Sequence, residues 1–332
     1  MKLRWLPRVV ITWIGWLSIF SIIIGDKIVY PDQKFQEIPV YAGFKEIDPA
    51  KNHFLLVGDT QKTSHWEFWR ERNERERKLI LNEMIKREPA FVIHLGDLTT
   101  RGSSEKHWGE FDSMHEAFRK KKIPLFPTLG NHEFYGKNED ALQYYFGRFP
   151  HLMNRRWYSF TWKNIGLILL DSNFANLTKE QTELQNTWYG SELERLEKNE
   201  GIDYVLVCCH EPPFTNSRVI DPNQKSKLYF ADPFLRFKKT SFFFNGHSHS
   251  YERFQVSGKY FIVTGGGGGP RHKVFINPQK QRFKDSFFGP ELRFFHFCEI
   301  ENLGRNLQFK VLRLESDDNV TIGDSITILS PP

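Results

Sequence analysis

The feature that most restricts how this chain folds is a set of five short segments, each following an apolar run and each carrying groups able to hold a metal. They are Asp59 in VGDTQ, Asp97 in HLGDLTTRG, Asn131 with His132 in LGNHEF, His210 in CCHEPP, and His247 with His249 in NGHSHSYER. Carboxylate, amide and imidazole are the oxygen and nitrogen donors that suit Zn, Mn and Fe. A fold that uses all of them has to bring the ends of several buried strands to one place, so the set reads as a metal site. Gly58, Gly96, Gly130 and Gly246 stand immediately before Asp59, Asp97, Asn131 and His247. A residue without a Cβ lets the backbone turn sharply toward a shared centre.

The pattern around these segments is α/β. Phe54 to Val57 and Phe91 to Leu95 are short apolar runs ending in Gly-Asp, and both read as buried strands closed by tight turns. Between them, Ser64 is placed to cap a helix running through Trp66, Phe68, Trp69, Leu79, Ile80 and Ile85 and ending before Pro89. A second helix is expected from about Glu105 to Lys121, its last turn carrying the basic run Arg119 to Lys122, where cations offset the helix dipole. Thr178 caps a third helix through Leu184, Trp188, Leu193 and Leu196, stopping near Gly201. Further strands are expected at Leu125 to Leu129, Gly166 to Leu170, Tyr204 to Cys209, Phe242 to Phe244 and Tyr260 to Thr264. A closing hairpin follows from Phe294 to Ile300 and Leu307 to Leu314. Functional groups at such strand ends are typical of α/β sites.

Other conspicuous residues have plainer readings. His53 and His94 are expected to pack, and Asp171 to fix a neighbouring loop. Gly265 to Gly269 is followed by neither a helix start nor Lys-Ser/Thr, so it reads as a strand exit allowing close backbone approach. Cys208 and Cys209 are neighbours on a strand and cannot bridge each other, and the three cysteines make no disulfide framework. The net charge of +6 suits a polyanion, an anionic membrane surface or a phosphorylated substrate equally.

The N-terminus reads as a targeting segment. Lys2, Arg4 and Arg8 precede an uncharged run from Val9 to Ile24, and Trp5 to Ile24 is long enough to cross a bilayer as an apolar helix. Gly25, Asp26 and Lys27 follow without an Ala-x-Ala cleavage pattern, which favours an uncleaved signal anchor over a signal peptide. The expected organisation is an anchor or signal peptide at 1–25, a linker at 26–50 containing Pro31, Pro39 and Pro49, and a single domain at 51–332. With the positive residues on the cytoplasmic side, the domain is expected to be extracytoplasmic and held at the membrane through residues 5–24. A cleaved segment would leave it secreted or periplasmic.

In their order along the chain, GDTQ, GDLTTRG, GNHE, the His of CCHEPP and GHSH resemble the calcineurin-like metallophosphoesterases, from about His53 to Leu314. The resemblance implies a four-layer α/β/β/α sandwich whose two central mixed sheets present these loops at one edge. It further implies two divalent metal ions, Mn, Zn or Fe. Asp59, Asp97 and His249 would hold one of them, and Asp97, Asn131, His210 and His247 the other, with Asp97 bridging. A metal-bridging hydroxide would then attack the phosphorus of a phosphate mono- or diester. His132 would protonate the leaving group, while Asn131 and Arg101 would contact the substrate.

Two positions depart from the family pattern. Gln61 stands where a metal-binding His is usual, and as an amide oxygen it is a weaker ligand for zinc-like ions. Thr100 stands where some relatives carry an Asp that orients the catalytic His. These departures keep a second expectation open, a catalytically weak metal-binding protein acting as a membrane-proximal binding or regulatory module. GHSHSYER, LDSN and QNTW also resemble purple acid phosphatases, but no Tyr lies between Gln61 and Arg101 to make a coloured iron centre. No nucleic-acid partner is expected.

Overall fold

The computed structural model describes residues 38–64 and 67–329. The chain divides into two units, Met1–Glu37 and Ile38–Pro332, and the described residues all belong to the second. Its strands are β1 (His53–Val57), β2 (Val92–His94), β3 (Leu125–Pro127), β4 (Tyr158–Trp162), β5 (Ile165–Leu169), β6 (Tyr204–Cys209), β7 (Thr240–Asn245), β8 (Tyr251–Val256), β9 (Lys259–Thr264), β10 (His296–Asn302), β11 (Asn306–Leu314) and β12 (Val320–Leu329). The main helices are α1 (Glu74–Lys86), α2 (Glu105–Met114), α3 (Glu116–Lys120), α4 (Asn138–Arg148) and α5 (Lys179–Lys198).

Two mixed six-stranded sheets result, ordered β12-β11-β10-β1-β2-β3 and β4-β5-β6-β7-β9-β8. Strand side chains alternate between faces, and in the second sheet the two rows enter different cores. Leu206, Cys208, Phe242 and Phe244 join the cluster that contains Phe54, Leu56 and Phe309 of the first sheet. Val205, Val207 and Phe243 join the cluster formed with Tyr189, Leu193 and Leu196 of α5. On the first sheet, α1 packs against β10 and β11 and contributes Ile80, Leu81 and Met84 to the core between. Helices therefore cover the outer faces of a pair of sheets. Cys208, Cys209 and Cys298 are buried free thiols within them.

Several element boundaries differ from expectation. The first helix begins at Glu74, with Asn73 at its N-cap, and not at Ser64. Phe68 and Trp69 are 78% and 69% exposed, so they form no core-facing stripe with Ile80 and Ile85. The chain is held away from helical geometry here because Thr63 Oγ1 donates to the Glu71 carbonyl at 2.7 Å and Glu71 pairs with Arg271 at 2.6 Å. The second helix breaks at His115, whose Nδ1 lies 3.0 Å from the Phe111 carbonyl. Thr178 does cap α5, in a reciprocal pair with Gln181. Strands β4, β8 and β12 were not expected.

The described portion of the segment read as a linker, residues 38–50, falls in the second unit. Tyr41 is buried, its N–H donates to the Arg148 carbonyl at 2.9 Å, and the Ala42 carbonyl accepts from Leu125 of β3 at 3.1 Å. Tyr41 and Ala42 are thus tied to the domain, Ala42 beside the edge strand β3. The apolar N-terminal helix, and with it the anchor at residues 5–24, lies outside the described residues. Among the described residues no helix is long and apolar enough to cross a membrane.

Asp112 carries much of this attachment. Both its oxygens accept from Arg148, with Arg148 Nη2 2.7 Å from Oδ2, and Tyr41 Oη donates to its Oδ1 at 3.1 Å. Both charged groups are buried, so removing Arg148 leaves the Asp112 carboxylate with only Tyr41 and the more distant Arg119, 3.7 Å away, in a low-dielectric site. Arg148→Met is expected to destabilise the domain by about 3 kcal/mol. Urea unfolding followed by tryptophan fluorescence reads this directly, and an unchanged midpoint contradicts it.

Candidate metal centre

All of the segments singled out in the sequence converge at one end of the two sheets. Asp59 follows β1, Asp97 follows β2 and Asn131 follows β3, all in the first sheet, where these three strands run parallel. His210 follows β6 and His247 follows β7, which are parallel in the second sheet. Parallel neighbours end at the same edge, so the topology collects three of the loops at one end of the first sheet and two at one end of the second.

Three of the four glycines act differently from expectation. Gly58, Gly130 and Gly246 do not have left-handed backbone, whereas Asp59, Asp97 and His247 themselves do, with φ of 60°, 55° and 65°. Gly96 is left-handed as well, with φ of 90°, so the turn at Asp97 is shared, whereas Gly58, Gly130 and Gly246 provide room. A Cβ on Gly130 would collide with the backbone nitrogen of Asp97, and one on Gly246 would come within 2.6 Å of Asp59 Oδ2.

Two groups of ligating atoms form there, Asp59 with Asp97 and His249, and Asp97 with His210 and His247, and within each group the atoms lie within 4.8 Å of one another. Asp97 is common to both. His210 Nε2 stands 3.4 Å from Asp97 Oδ1 and 3.0 Å from Asn131 Oδ1, and His249 Nε2 stands 3.4 Å from Asp59 Oδ1. The far nitrogens of the two imidazoles are fixed as well. His210 Nδ1 faces the Leu95 carbonyl and His249 Nδ1 the Pro270 carbonyl, both at 2.8 Å. Each therefore donates from Nδ1, which turns Nε2 toward the carboxylates, the orientation that the second shell of a metal site imposes.

These residues suit cations. Asp59 and Asp97 are buried, and among the described residues only imidazoles pair with them, without Lys or Arg. Burial works against a charge on His210, yet Asp97 and Asp59 push it up to about 9. Burial likewise opposes ionisation of Asp97, but His210, His132 and His247 hold its carboxyl down at about 2. A buried anionic cluster of this kind needs positive charge within it. Gln61 adds an independent sign. Its Nε2 lies 3.2 Å from Asp97 Oδ2 and 3.1 Å from His249 Nε2, while its Oε1 is buried with no hydrogen-bond partner. Exchanging the two ends of the amide turns the unpaired oxygen into that same corner, where an oxygen suits a cation and not a bare carboxylate.

His132 sits beside the two groups and belongs to neither. Its Nε2 is 3.8 Å from Asp97 Oδ2, and its Nδ1 is 2.9 Å from the Thr100 carbonyl. The main chain of Thr100 thus orients the ring that an Asp side chain was expected to orient in some relatives. Arg101 is not brought to the carboxylates. It is exposed, its Nε donates to Ser103 Oγ at 3.3 Å, and it lines a groove beside His132. His53 and His94 pack as expected, the latter 2.9 Å from Thr60 Oγ1, and Asp171 binds Arg156 and Asn173. The glycine run lies against the Asp59 loop, with the Gly269 N–H donating to the Asp59 carbonyl at 2.8 Å.

Glu133 was not singled out from the sequence and proves central. It is buried, and its two oxygens accept from the backbone N–H groups of Asp97, Leu98, Thr99 and Gly130 at 2.7–3.2 Å. Burial and the nearby Asp97 push its carboxyl up to about 8, against the pull of the N–H groups of Gly130 and Thr99. The only signal in sequence is position, since an acid directly after a His-bearing turn can reach back to the turn's own donors.

The chain matches the model of the calcineurin-like phosphoesterase family over residues 53–251, and it belongs to that family. Among characterised relatives, purple acid phosphatase 1 of Ipomoea batatas is 26% identical over 179 residues, covering 49% of this chain and 36% of that protein. Purple acid phosphatase 21 of Arabidopsis thaliana is 23% identical over 257 residues, covering 71% of this chain and 55% of that one. The chain thus spans roughly a third to a half of these relatives' length. Solved structures share the fold. A purple acid phosphatase from yellow lupin seeds superposes with a TM-score of 0.61 at 17% identity over 84% of this chain and 54% of the other. GAP50, the anchor in the inner membrane complex of Plasmodium, gives 0.61 at 16% over 85% and 90%. The resemblance read from the motifs is therefore confirmed at the level of family.

Glu133→Gln keeps the shape but turns an amide NH2 toward backbone donors. It is expected to cost about 2 kcal/mol of stability and to weaken metal binding roughly 10- to 100-fold. Chemical denaturation and metal content after dialysis measure the two effects, and wild-type values for both would rule out this role for Glu133.

Proposed function

We propose that this chain is a binuclear metal-dependent phosphoesterase that hydrolyses a phosphate mono- or diester. The observation that carries the reading is that Asp97 belongs to both ligand groups while His132 Nε2 faces it from outside them. Asp59, Asp97 and His249, with Gln61, would hold one ion, and Asp97, Asn131, His210 and His247 the other, Mn, Zn or Fe fitting this oxygen and nitrogen donor set. Such a pair supplies an activated water and neutralises charge on the phosphoryl oxygens.

The chain's own groups do the rest. As the oxygen of a water that has released one proton to solvent bonds to phosphorus, the ester bond breaks with its electron pair left on the leaving oxygen. His132, protonated and donating Nδ1–H to the Thr100 carbonyl, gives that oxygen the proton from Nε2. Asn131 presents its amide between His210 and Tyr135, with Nδ2 donating to Tyr135 Oη at 2.9 Å, and contacts the phosphoryl group from there. Arg101 lies on the groove wall, where a guanidinium pairs with phosphate oxygens. The apolar run at residues 5–24 would anchor this domain on the extracytoplasmic side of a membrane.

One observation favours a second reading. As the side chain is oriented, Gln61 directs an amide nitrogen, which has no lone pair to offer, into the first ligand group. A chain with one firm ion and no turnover would be a metal-binding module that engages a partner near the membrane. The fold-level neighbour from Plasmodium, described as an anchor, is compatible with such a role.

Protein loaded with Mn, Zn or Fe is expected to hydrolyse p-nitrophenyl or bis-p-nitrophenyl phosphate. Chelation or Asp97→Asn should abolish turnover, and His132→Ala should lower kcat by roughly 10²- to 10⁴-fold. Turnover that survives complete metal removal contradicts the proposal, and one bound ion without turnover selects the second reading.

A further inference from the structure

The groove beside His132 has a chemistry of its own. It encloses about 660 Å³ and is lined by Thr100, Arg101, His132 and Tyr135 on the side of the candidate centre. Beyond them it is lined by Lys62, Arg70, Lys106 and His107, with Glu67 and Glu110 as its acids. Four permanent cations thus face two carboxylates. The acids are already engaged, because Arg70 pairs with Glu67 at 3.1 Å and Lys62 reaches Glu110 at 3.9 Å. Arg101 and Lys106 are exposed and have no acidic partner among the described residues.

Two further observations point the same way. His107 Nδ1 is buried with no hydrogen-bond partner. Burial depresses the His107 imidazole, Glu110 opposes this, and Lys106, Arg101 and Lys62 each depress it further, so three cations act on one spot in the groove. Unpaired positive charge concentrated in a cleft is a place for an anion.

Position decides which anion. His132 and Tyr135, whose rings lie 4.4 Å apart, line one end of the groove, so a leaving group that takes its proton from His132 has the groove directly beside it. Resting on the phosphoesterase reading, we propose that the groove binds the leaving group of the substrate, and that this leaving group carries a second phosphate. A neutral alcohol would leave Arg101 and Lys106 solvated and unused, whereas a phosphate matches their combined charge and accepts bidentately from the guanidinium. Both a nucleoside diphosphate and a sugar bisphosphate present this chemistry.

Non-hydrolysable probes separate the second phosphate from the first. Full-length protein loaded with Mn is titrated calorimetrically with methylphosphonate and with methylenediphosphonate. Lys106→Gln is expected to weaken the diphosphonate by roughly fivefold while moving methylphosphonate by less than about twofold, the scale of losing one partly exposed charge contact. Lys120→Gln, at an exposed lysine of α3 paired with Glu116, should change neither and controls for general charge. Kinetics with ADP and with a hexose bisphosphate, each compared with its monophosphate, then distinguish the sources. A higher kcat/KM for either diphosphorylated compound, lowered in Lys106→Gln, supports the proposal.

Diphosphonate binding no tighter than methylphosphonate, or equal in wild type and Lys106→Gln, overturns it. Hydrolysis of p-nitrophenyl phosphate would in that case still support the parent reading. Lys106-dependent diphosphonate binding in a metal-loaded protein without any turnover overturns the leaving-group role and the parent reading together, leaving only an anion site.

Discussion

The carboxylate of Glu133 ties the site together. By accepting from Asp97, Leu98, Thr99 and Gly130 it joins the loop after β2 to the loop after β3. Those loops carry Asp97, Asn131 and His132, and the Thr100 carbonyl that orients His132 belongs to one of them. Asp59, Asp97 and His247 hold left-handed backbone, which for residues other than glycine costs on the order of 1 kcal/mol or more each. Such conformations persist only where surrounding bonds over-determine them. Here the Asp97 N–H is held by Glu133, the Asp59 N–H by the Gly96 carbonyl, and the His247 N–H by Asp59. The polar groups that shape the backbone are thus interleaved with those that face the centre.

How much of this was legible in the sequence varies with the kind of signal. Apolar runs ending in Gly-Asp, Gly-Asn, Gly-His or a lone His identified β1, β2, β3, β6 and β7, because a short buried strand leaves a local trace in composition. The capping pair Thr178 and Gln181 is equally local. Phe68 and Trp69 misled for the opposite reason. Their spacing suits a helix, but the bond from Glu71 to Arg271 spans the whole domain and is invisible from either end. Strand β12 buries little beyond Ile326, so its pattern lacks the alternation that would announce it.

The site follows the same division. Asp59, Asp97, Asn131, His210, His247 and His249 could be assembled from order and residue type. The role of Thr100 could not, since its contribution is a main-chain oxygen that any side chain would supply. Glu133 was hidden because a buried acid next to a candidate acid-base residue resembles one more polar surface residue. Gly96 does serve for turning, with φ of 90°, but Gly130 and Gly246 serve for space, a distinction that only the packing of Gly130 against Asp97 and Gly246 against Asp59 reveals.

Whether Asp97 lies between two ions or beside one is decided by titrating the metal-free protein with Mn(II) and following electron paramagnetic resonance. If Asp97 bridges, the signal saturates at two ions per chain with the multiline spectrum of an exchange-coupled pair, collapsing to isolated six-line signals in Asp97→Asn. Saturation at one ion, or two ions with uncoupled spectra in the wild-type protein, would contradict a bridging Asp97.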